Sequence, residues 1–430
     1  MTSPGGARAV ARCDALGAVP YSDMVGGLFR AYLTPAHRMT VDEVGRWMVA
    51  AGMGAQIDPA GNLVGYYPAS VPDAPSLVIG SHLDSVRDGG RFDGPLGIML
   101  GIECVAALNT QGRRMPFAIE IYGFGDEEGS RFPAAMLTSR AVAGTLDADL
   151  MEIVDAEGTS LANALRTFNS DWDDYLMGIG EMSPLGIAGF HNARRTPEKT
   201  LAYLEAHIEQ GPVLEADGLA VGTVTGIAAQ LRLAVTVKGM AGHAGTTAMR
   251  LRRDPLAGAA AMVLAVEQIA RGDNSDAVAT VGLIEAMPGA PNVIPGEVRF
   301  TIDVRSGAES CRDRVAADIH HRISEIARAR DLALEIERIH ALPASPCDPA
   351  LMDLMDEALL AAGQPVRRLV SGAGHDAMNM AALCPTAMLF IRCKGGISHN
   401  PAEHVDPGDA EIALAVMLGF IERLGARYAA

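Results

Sequence analysis

No stretch of this sequence is apolar for long enough to cross a bilayer. A spanning helix needs roughly 20 consecutive apolar residues, and the longest runs, such as 412–421, reach about half of that. Residues 1–19 hold no continuous apolar core, so a signal peptide is not expected. Cysteine is sparse and unpaired in pattern. Cys13, Cys104, Cys311, Cys347, Cys384 and Cys393 are scattered, without the CxxC spacing of a zinc knuckle or redox pair. They read as free thiols, which fits a reducing compartment and a cytoplasmic location. Cys104 and Cys384 fall in apolar, helix-like stretches and are expected in the core. Basic residues are in deficit, 35 Lys and Arg against 52 Asp and Glu, a formal net charge of -17. Such a surface repels phosphate backbones and anionic lipid, so neither nucleic acid nor a membrane is an expected partner. There is no tandem repeat and no low-complexity tract.

What is present suits a soluble globular protein, with 49% hydrophobic and 20% charged residues. At 430 residues the chain exceeds one ordinary core and is expected to form two domains. Helical periodicity runs over 8–52, where Leu28, Tyr32 and Leu33 recur at 3.6-type spacing. Strands are expected at 62–67, 77–80 and 117–124, with a helix over 94–108. That alternation indicates an α/β layer with a mostly parallel central sheet. The middle of the chain differs. Leu231, Leu233, Val235 and Val237 alternate along one strand, as do Val298, Phe300, Ile302 and Val304. With helices over 254–271 and 309–328 and strands over 277–286 and 332–339, the order is β-α-β-β-α-β. We place this ferredoxin-like insertion at about 213–330. An α/β pattern resumes near Asp348, with a strand near Leu369, another over 387–392 and a last helix from Asp409. The main domain is therefore expected to be discontinuous, about 1–212 plus 331–430. The freer sheet face of the insertion, or one of its helices, could pair two subunits. Residues 169–195 mix Gly, Pro, Asp and Asn and are the expected mobile segment.

Ligands of open α/β sheets gather at the carboxyl ends of strands. Gly80-Ser81-His82-Leu83-Asp84-Ser85 follows directly on the strand at 77–80. On an extended backbone His82 and Asp84 point the same way, so the Asp84 carboxylate can accept the second ring N–H and orient His82 as a metal ligand. A plain surface His–Asp pair would leave the same trace. Asp93 precedes a helix and by itself reads as an N-cap carboxylate, yet it belongs to the same sheet edge as His82. Asp126, Glu127 and Glu128 close the strand at 117–124. Adjacent carboxylates repel unless a cation or solvent relieves them. Glu128 suits a metal as an oxygen ligand, which leaves Glu127 free as a general base. His207 and His399 lie at two further boundaries. Alone each reads as structural, and the convergence of strand ends favours a ligand role. His37, His320, His321 and His340 lack that context and read as surface or packing residues.

The motifs GSHLDSV, GGRFDGPLG, DEEGSRF, HIEQGPVLE, GHAGT, NVIPGE, SGAGHDAM and ISHNPAE occur in this order from Gly80 to Glu403. Together they resemble the M20-type metallopeptidase superfamily, and more closely its hydantoinase/carbamoylase branch, over nearly the whole chain. The resemblance implies two divalent ions, zinc, manganese, cobalt or nickel, bridged by Asp93. His82 and His207 would complete one ion, and Glu128 and His399 the other. Glu127 would be the general base, supported by Asp84. Gln210, His243, Asn292 and Arg305 would hold a small ureido acid, with His243 polarising its carbonyl and the Arg305 fork on its carboxylate. His375 would line the pocket. A homodimer through the insertion is also implied, with the insertion closing over the substrate about hinges near Pro212 and residue 330. Two places depart from many relatives: Thr138 stands where Gly is common, and Thr247-Ala248-Met249 where Val-Pro-Met is common. Neither touches a proposed ligand.

The expected activity is hydrolysis of a linear C–N bond in an N-carbamoyl acid, with allantoate placed first. N-carbamoyl-L-amino acids and β-ureidopropionate are the alternatives. A peptidase is disfavoured because His207 stands where such enzymes commonly carry an acidic ligand. A non-catalytic metal-binding relative is disfavoured because every implied ligand and Glu127 are in place.

Overall fold

Proline and a short polar side chain start most of the long helices. Pro35, Pro95, Pro255, Pro349 and Pro407 each open a helix, where a missing N–H is harmless and φ is already helical. Thr34, Asp254 and Asp348 cap three of them, their side chains accepting from first-turn backbone N–H groups. This computed structural model describes residues 5–146, 148–170, 190 and 192–429. Most of the segment 169–195, expected to be mobile, lies outside the described residues. The chain forms two compact units, one of Met1–Thr225, Cys347–Leu369 and Gly374–Ala430, the other of Gly226–Pro346 and Val370–Ala373.

The first unit is built on β1 (Gly54–Ile57), β2 (Leu63–Tyr67), β3 (Ser76–His82), β4 (Ala118–Phe124), β5 (Thr200–Ile208), β6 (Val221–Ile227) and a late strand, Thr386–Ile391. Their order is β1-β2-β4-β3-β5-late strand-β6. The four central strands are parallel, and β1, β2 and β6 join them antiparallel. The sheet is therefore mixed, with its parallel part in the centre. Every residue of β3 and β4 is buried, which explains their continuous apolar runs. The helix Pro95–Thr110 lies on β3, β4 and β5, and helices Gly5–Ala15 and Pro407–Ala429 pack against it. In register, His82 is level with Phe124 and His207 with Phe390, so four neighbouring strands end together.

The second unit has the β-α-β-β-α-β order. Its antiparallel sheet runs Ile284–Met287, Glu297–Ser306, Ala229–Lys238, Ala333–Leu342, and Val278–Thr280 also pairs with Glu297–Ser306. Val235, Val237, Phe300 and Ile302 pack with Ile319 and Ile323 of the helix Glu309–Ala329. Both ends of this unit lie later than 213 and 330. Residues 213–225 stay with the first unit because β6 pairs with the late strand. Residues 331–346 join the second because Ala333–Leu342 pairs along Ala229–Lys238. The strand expected over 277–286 is two short strands, interrupted around Gly282.

Residues 16–34 form no helix, contrary to the periodicity of Leu28, Tyr32 and Leu33. Pro20, Gly26 and Gly27 interrupt the run. Leu28, Tyr32 and Leu33 are instead buried in a segment that wraps around Arg30. Its fully buried guanidinium donates from Nε to Leu83 O (2.5 Å) and from Nη1 to Leu16 O (3.0 Å) and Tyr21 O (2.9 Å). Burial pushes Arg30 down to about 10, opposed by the Asp84 carboxylate, so it stays charged at neutral pH. The six cysteines are free. Cys104 lies in the helix Pro95–Thr110, whereas Cys384 is buried in a bend ahead of the late strand rather than in a helix. Among the described residues no helix is long and apolar enough to cross a membrane. Arg30→Met removes the donor from three carbonyls, two of them buried, and is expected to cost on the order of 3 kcal/mol. The expected readout is a lower urea midpoint; an unchanged midpoint would show that Arg30 does not hold residues 16–34.

Candidate metal centre

Four neighbouring strand ends supply the site. β3 ends on His82, β4 leads into Asp126-Glu127-Glu128, β5 carries His207 beside its last residue, and the late strand leads through a turn to His399. Asp93 comes from the loop ahead of the helix Pro95–Thr110 and stands at the centre. Its Oδ1 is 3.1 Å from His207 Nε2 and 3.7 Å from His82 Nε2. Its Oδ2 is 3.3 Å from His399 Nε2, which is 3.6 Å from Glu128 Oε2. Asp93 does not cap the helix; the capping position is Gly94, with no side-chain cap bond. Gly94 has φ +85, and a Cβ there would strike the His82 carbonyl and ring. Glycine is what lets the helix begin immediately after Asp93.

Three donor sets, His82–Asp93–His207, Asp93–Glu128–His399 and His82–Glu127–Glu128, each bring their ligand atoms within 4.8 Å of one another. Two of them share Asp93, one oxygen facing each set. Atoms about 2.0–2.2 Å from one ion at tetrahedral angles lie roughly 3.3–3.6 Å apart, close to the 3.1, 3.3 and 3.7 Å found around Asp93. His207 Nε2 is buried without a hydrogen bond, while its Nδ1 is 2.9 Å from Ile208 O. A carbonyl only accepts, so Nδ1 carries the proton and, in the neutral ring, Nε2 turns a lone pair toward Asp93. His82 is arranged alike, with Nδ1 3.0 Å from Asp84 O. Nitrogen lone pairs aimed at a carboxylate need a cation between them, and this mixed N and O donor set fits divalent ions of the zinc or manganese type.

The spacing of His82 and Asp84 predicts a carboxylate on the imidazole, and the structure differs. The ring N–H faces the Asp84 main-chain carbonyl, and the carboxylate is 3.6 Å from Nδ1. That carboxylate instead accepts from Glu127 N (3.1 Å) and Glu128 N (3.2 Å). β3 stops at His82, so the two-residue alternation no longer applies at Asp84. The same residue therefore orients His82 through its backbone and holds the glutamate pair through its side chain.

Burial dominates the electrostatics. It pushes Glu127 well above the usual carboxylate range, helped by Asp376, Glu128 and Asp84, and Glu128 up to about 7. Burial alone would also raise Asp93, but the facing imidazoles of His207, His399 and His82 hold it well below its ordinary value. Asp93 and Glu128 push His399 up to about 9. Burial opposes protonation of His82 and His207, yet neighbouring carboxylates hold both above the ordinary histidine range. The imidazoles therefore hold protons where a metal ion would sit.

Of the substrate-binding candidates, Gln210 and His375 lie in the first unit. Gln210 Nε2 donates to Asp93 Oδ2 (2.9 Å) and to Ser398 Oγ (3.2 Å). The His375 ring is buried 4.4 Å from that of His207. The other three lie in the second unit. His243 and Asn292 are neighbours across a short ribbon, with Ala244 N donating to Asn292 O at 3.0 Å. Gly245 N donates to His243 Nδ1 (3.0 Å), so the neutral ring presents an Nε2–H donor. Arg305 is partly engaged, Nε and Nη2 on Asp303 and Nη1 on Gly372 O. His37 is fully buried and stacks on Phe168, His320 and His321 are exposed, and His340 bonds Gln230.

Several residues of the site escape the sequence reading. Glu205 sits behind His207, accepting from Ser81 Oγ (3.2 Å), Tyr203 Oη (3.1 Å) and Ala377 N (3.0 Å). Period-two alternation along β5 places Tyr203, Glu205 and His207 on one face and could have found it. Asp376 is buried too, and burial together with Glu205 pushes it up to about 8. Thr138 donates to Gly125 O (2.6 Å) and accepts from Gly125 N (3.0 Å), pinning the residue before Asp126.

Residues 78–423 match the model of peptidase family M20/M25/M40. The chain is 40% identical over 392 residues to N-carbamoyl-L-amino acid amidohydrolase of Geobacillus stearothermophilus, covering 91% of this chain and 92% of that protein. It is 38% identical over 444 residues to allantoate deiminase 1 of Glycine max, covering 97% and 89%. Among solved structures, a hydantoinase/carbamoylase family amidase from Burkholderia ambifaria is similar with a TM-score of 0.86 at 36% identity, covering 97% of each chain.

Two outcomes follow from this geometry. Asp84→Asn removes one acceptor from the glutamate turn and is expected to weaken divalent-ion binding roughly 10- to 100-fold, read by calorimetric titration of apo-protein. Unchanged affinity would mean that Asp84 does not hold the turn. Because the carboxylates raise His82, His207 and His399, ion uptake must displace protons. Affinity for Mn²⁺ is expected to rise from pH 6.5 towards about 9, with fewer protons released at the upper end. A pH-independent affinity would contradict the ligand assignment.

Proposed function

The chain belongs to peptidase family M20/M25/M40, and from that premise we propose that it is a metal-dependent hydrolase cleaving the linear C–N bond of an N-carbamoyl (ureido) acid. One observation carries the chemistry: Asp93 turns one oxygen to each of two donor sets, beside the partly buried Glu127. The reading assigns two divalent ions, one to His82, Asp93 and His207, the other to Asp93, Glu128 and His399. When bound, such ions supply Lewis acidity and neutralise charge developing on the carbonyl oxygen.

The chain's own groups do the rest. Glu127 takes a proton from the attacking water and returns it to the leaving amine nitrogen. Its burial suits this shuttle, since a carboxyl raised towards neutrality both accepts and donates a proton readily. Asp84 holds Glu127 in place through the main chain. Gln210 and His375 of the first unit, and His243, Asn292 and Arg305 of the second, are assigned to substrate recognition. The Nε2–H of His243 suits a carbonyl oxygen. Arg305 keeps donors on Nη1 and Nη2 for a carboxylate. The products would be ammonia, carbon dioxide and an amine.

Allantoate is the substrate placed first, supported by the relative from Glycine max. An N-carbamoyl-L-amino acid is the second reading, favoured by the relative from Geobacillus stearothermophilus. A homodimer through the second unit belongs to the same reading, supported by exposed Leu264, Val278, Leu283 and Ile284 there. Turnover of allantoate, N-carbamoyl-L-amino acids, β-ureidopropionate and dipeptides is to be compared with Mn²⁺, Zn²⁺ and Co²⁺. Chelation is expected to abolish ureide hydrolysis and metal to restore it. Glu127→Gln is expected to lower kcat by about 10²- to 10⁴-fold with metal content unchanged. Parent-like turnover by that variant would remove Glu127 as the base.

A further inference from the structure

Glu403 is a buried carboxylate that binds no substrate or ion in the reading above. Its Oε1 accepts from two successive backbone groups, Phe92 N (2.8 Å) and Asp93 N (3.1 Å). Its Oε2 lies 3.2 Å from Ser398 Oγ, beside His399. Ser398 Oγ is in turn 3.0 Å from Asp93 Oδ2 and accepts from Gln210 Nε2. The seat is built for this carboxylate, because a Cβ at position 90 would occupy the space of the Glu403 carboxyl group. Glycine at 90 is what allows so close an approach.

One side chain therefore ties two loops that leave different strands. The loop with Asp93 follows β3, and the turn with His399 follows the late strand, which β5 separates from β3 in the sheet. His82 and His207 need no such tie, because each sits on a strand within the hydrogen-bonded sheet. His399 lies outside any strand, at φ +53, and is half-exposed. Its distance from Asp93 depends on how the two loops are held.

We propose that Glu403 is a positioning residue that sets the separation of Asp93 and His399, and with it the affinity for the second of two divalent ions. This rests on the two-ion reading. Partners that orient metal ligands typically change affinity by about 10- to 100-fold when removed. Glu403→Gln keeps an oxygen for both N–H groups and an amide for Ser398 Oγ, so it should behave like the parent. Glu403→Ala removes the tie, and Glu403→Asp is too short to span it.

The test titrates apo full-length protein with Mn²⁺ calorimetrically and counts retained metal by elemental mass spectrometry after dialysis. The parent should bind two ions. Glu403→Ala should weaken one event by about 10- to 100-fold and change the other by no more than about twofold, with Glu403→Gln restoring both. If Glu403→Ala does not fold, Glu403→Asp carries the same expectation. Two unchanged events in the Ala and Asp variants, equal weakening of both, or a Gln variant as weak as Ala would each overturn the proposal. A parent that binds a single ion overturns the two-ion reading itself, whatever the variants do.

Discussion

Mutual repulsion among buried carboxylates is the constraint on which this structure turns. Asp84, Asp93, Glu205 and Asp376, all buried, gather with the partly buried Glu127 and Glu128 at one end of a single sheet, where loss of water makes negative charge expensive. Only protons, imidazolium groups or cations can make such a cluster tolerable. Three histidines face the central carboxylate, and they are held above their ordinary range. A site that binds protons this firmly is equally a site that divalent ions can fill by displacing them.

The sheet earns its geometry from ordinary packing. The buried strands β3 and β4 and the helix Pro95–Thr110 form a rigid apolar base. Because the central strands are parallel, their carboxyl ends share one edge, and candidate ligands distant in sequence arrive together. The loops beyond that edge are then tied by polar groups. Arg30 holds the carbonyl of Leu83, Asp84 holds the glutamate turn, and Glu403 holds the loop of Asp93. Each tie uses backbone groups that would otherwise be buried without partners.

Membership of the M20/M25/M40 family and the relatives that hydrolyse ureido compounds agree with this chemistry. On the proposed reading, the choice among ureides would fall to groups such as His243, Asn292 and Arg305, which lie in the second unit. Asp303 and Gly372 O occupy three donor positions of Arg305 and leave its outer pair. A carboxylate matches that pair in shape and charge.

The sequence alone determined the alternation of strands and helices, the inserted β-α-β-β-α-β order and the candidate ligands His82, Asp93 and Glu128. These are local signals, since hydrophobic period and strand-end position are written in neighbouring residues. It misled where a residue's neighbours came from elsewhere. Leu28, Tyr32 and Leu33 mimic a helical face, but they are buried around Arg30, whose partners lie at Leu16, Tyr21 and Leu83. The Asp84 carboxylate faces the glutamate turn rather than His82, because β3 ends at His82, two residues short of Asp84. Only the tertiary structure decided the contacts of Glu403, since its partners are defined by the loops that fold against it, and sequence spacing carries no record of them.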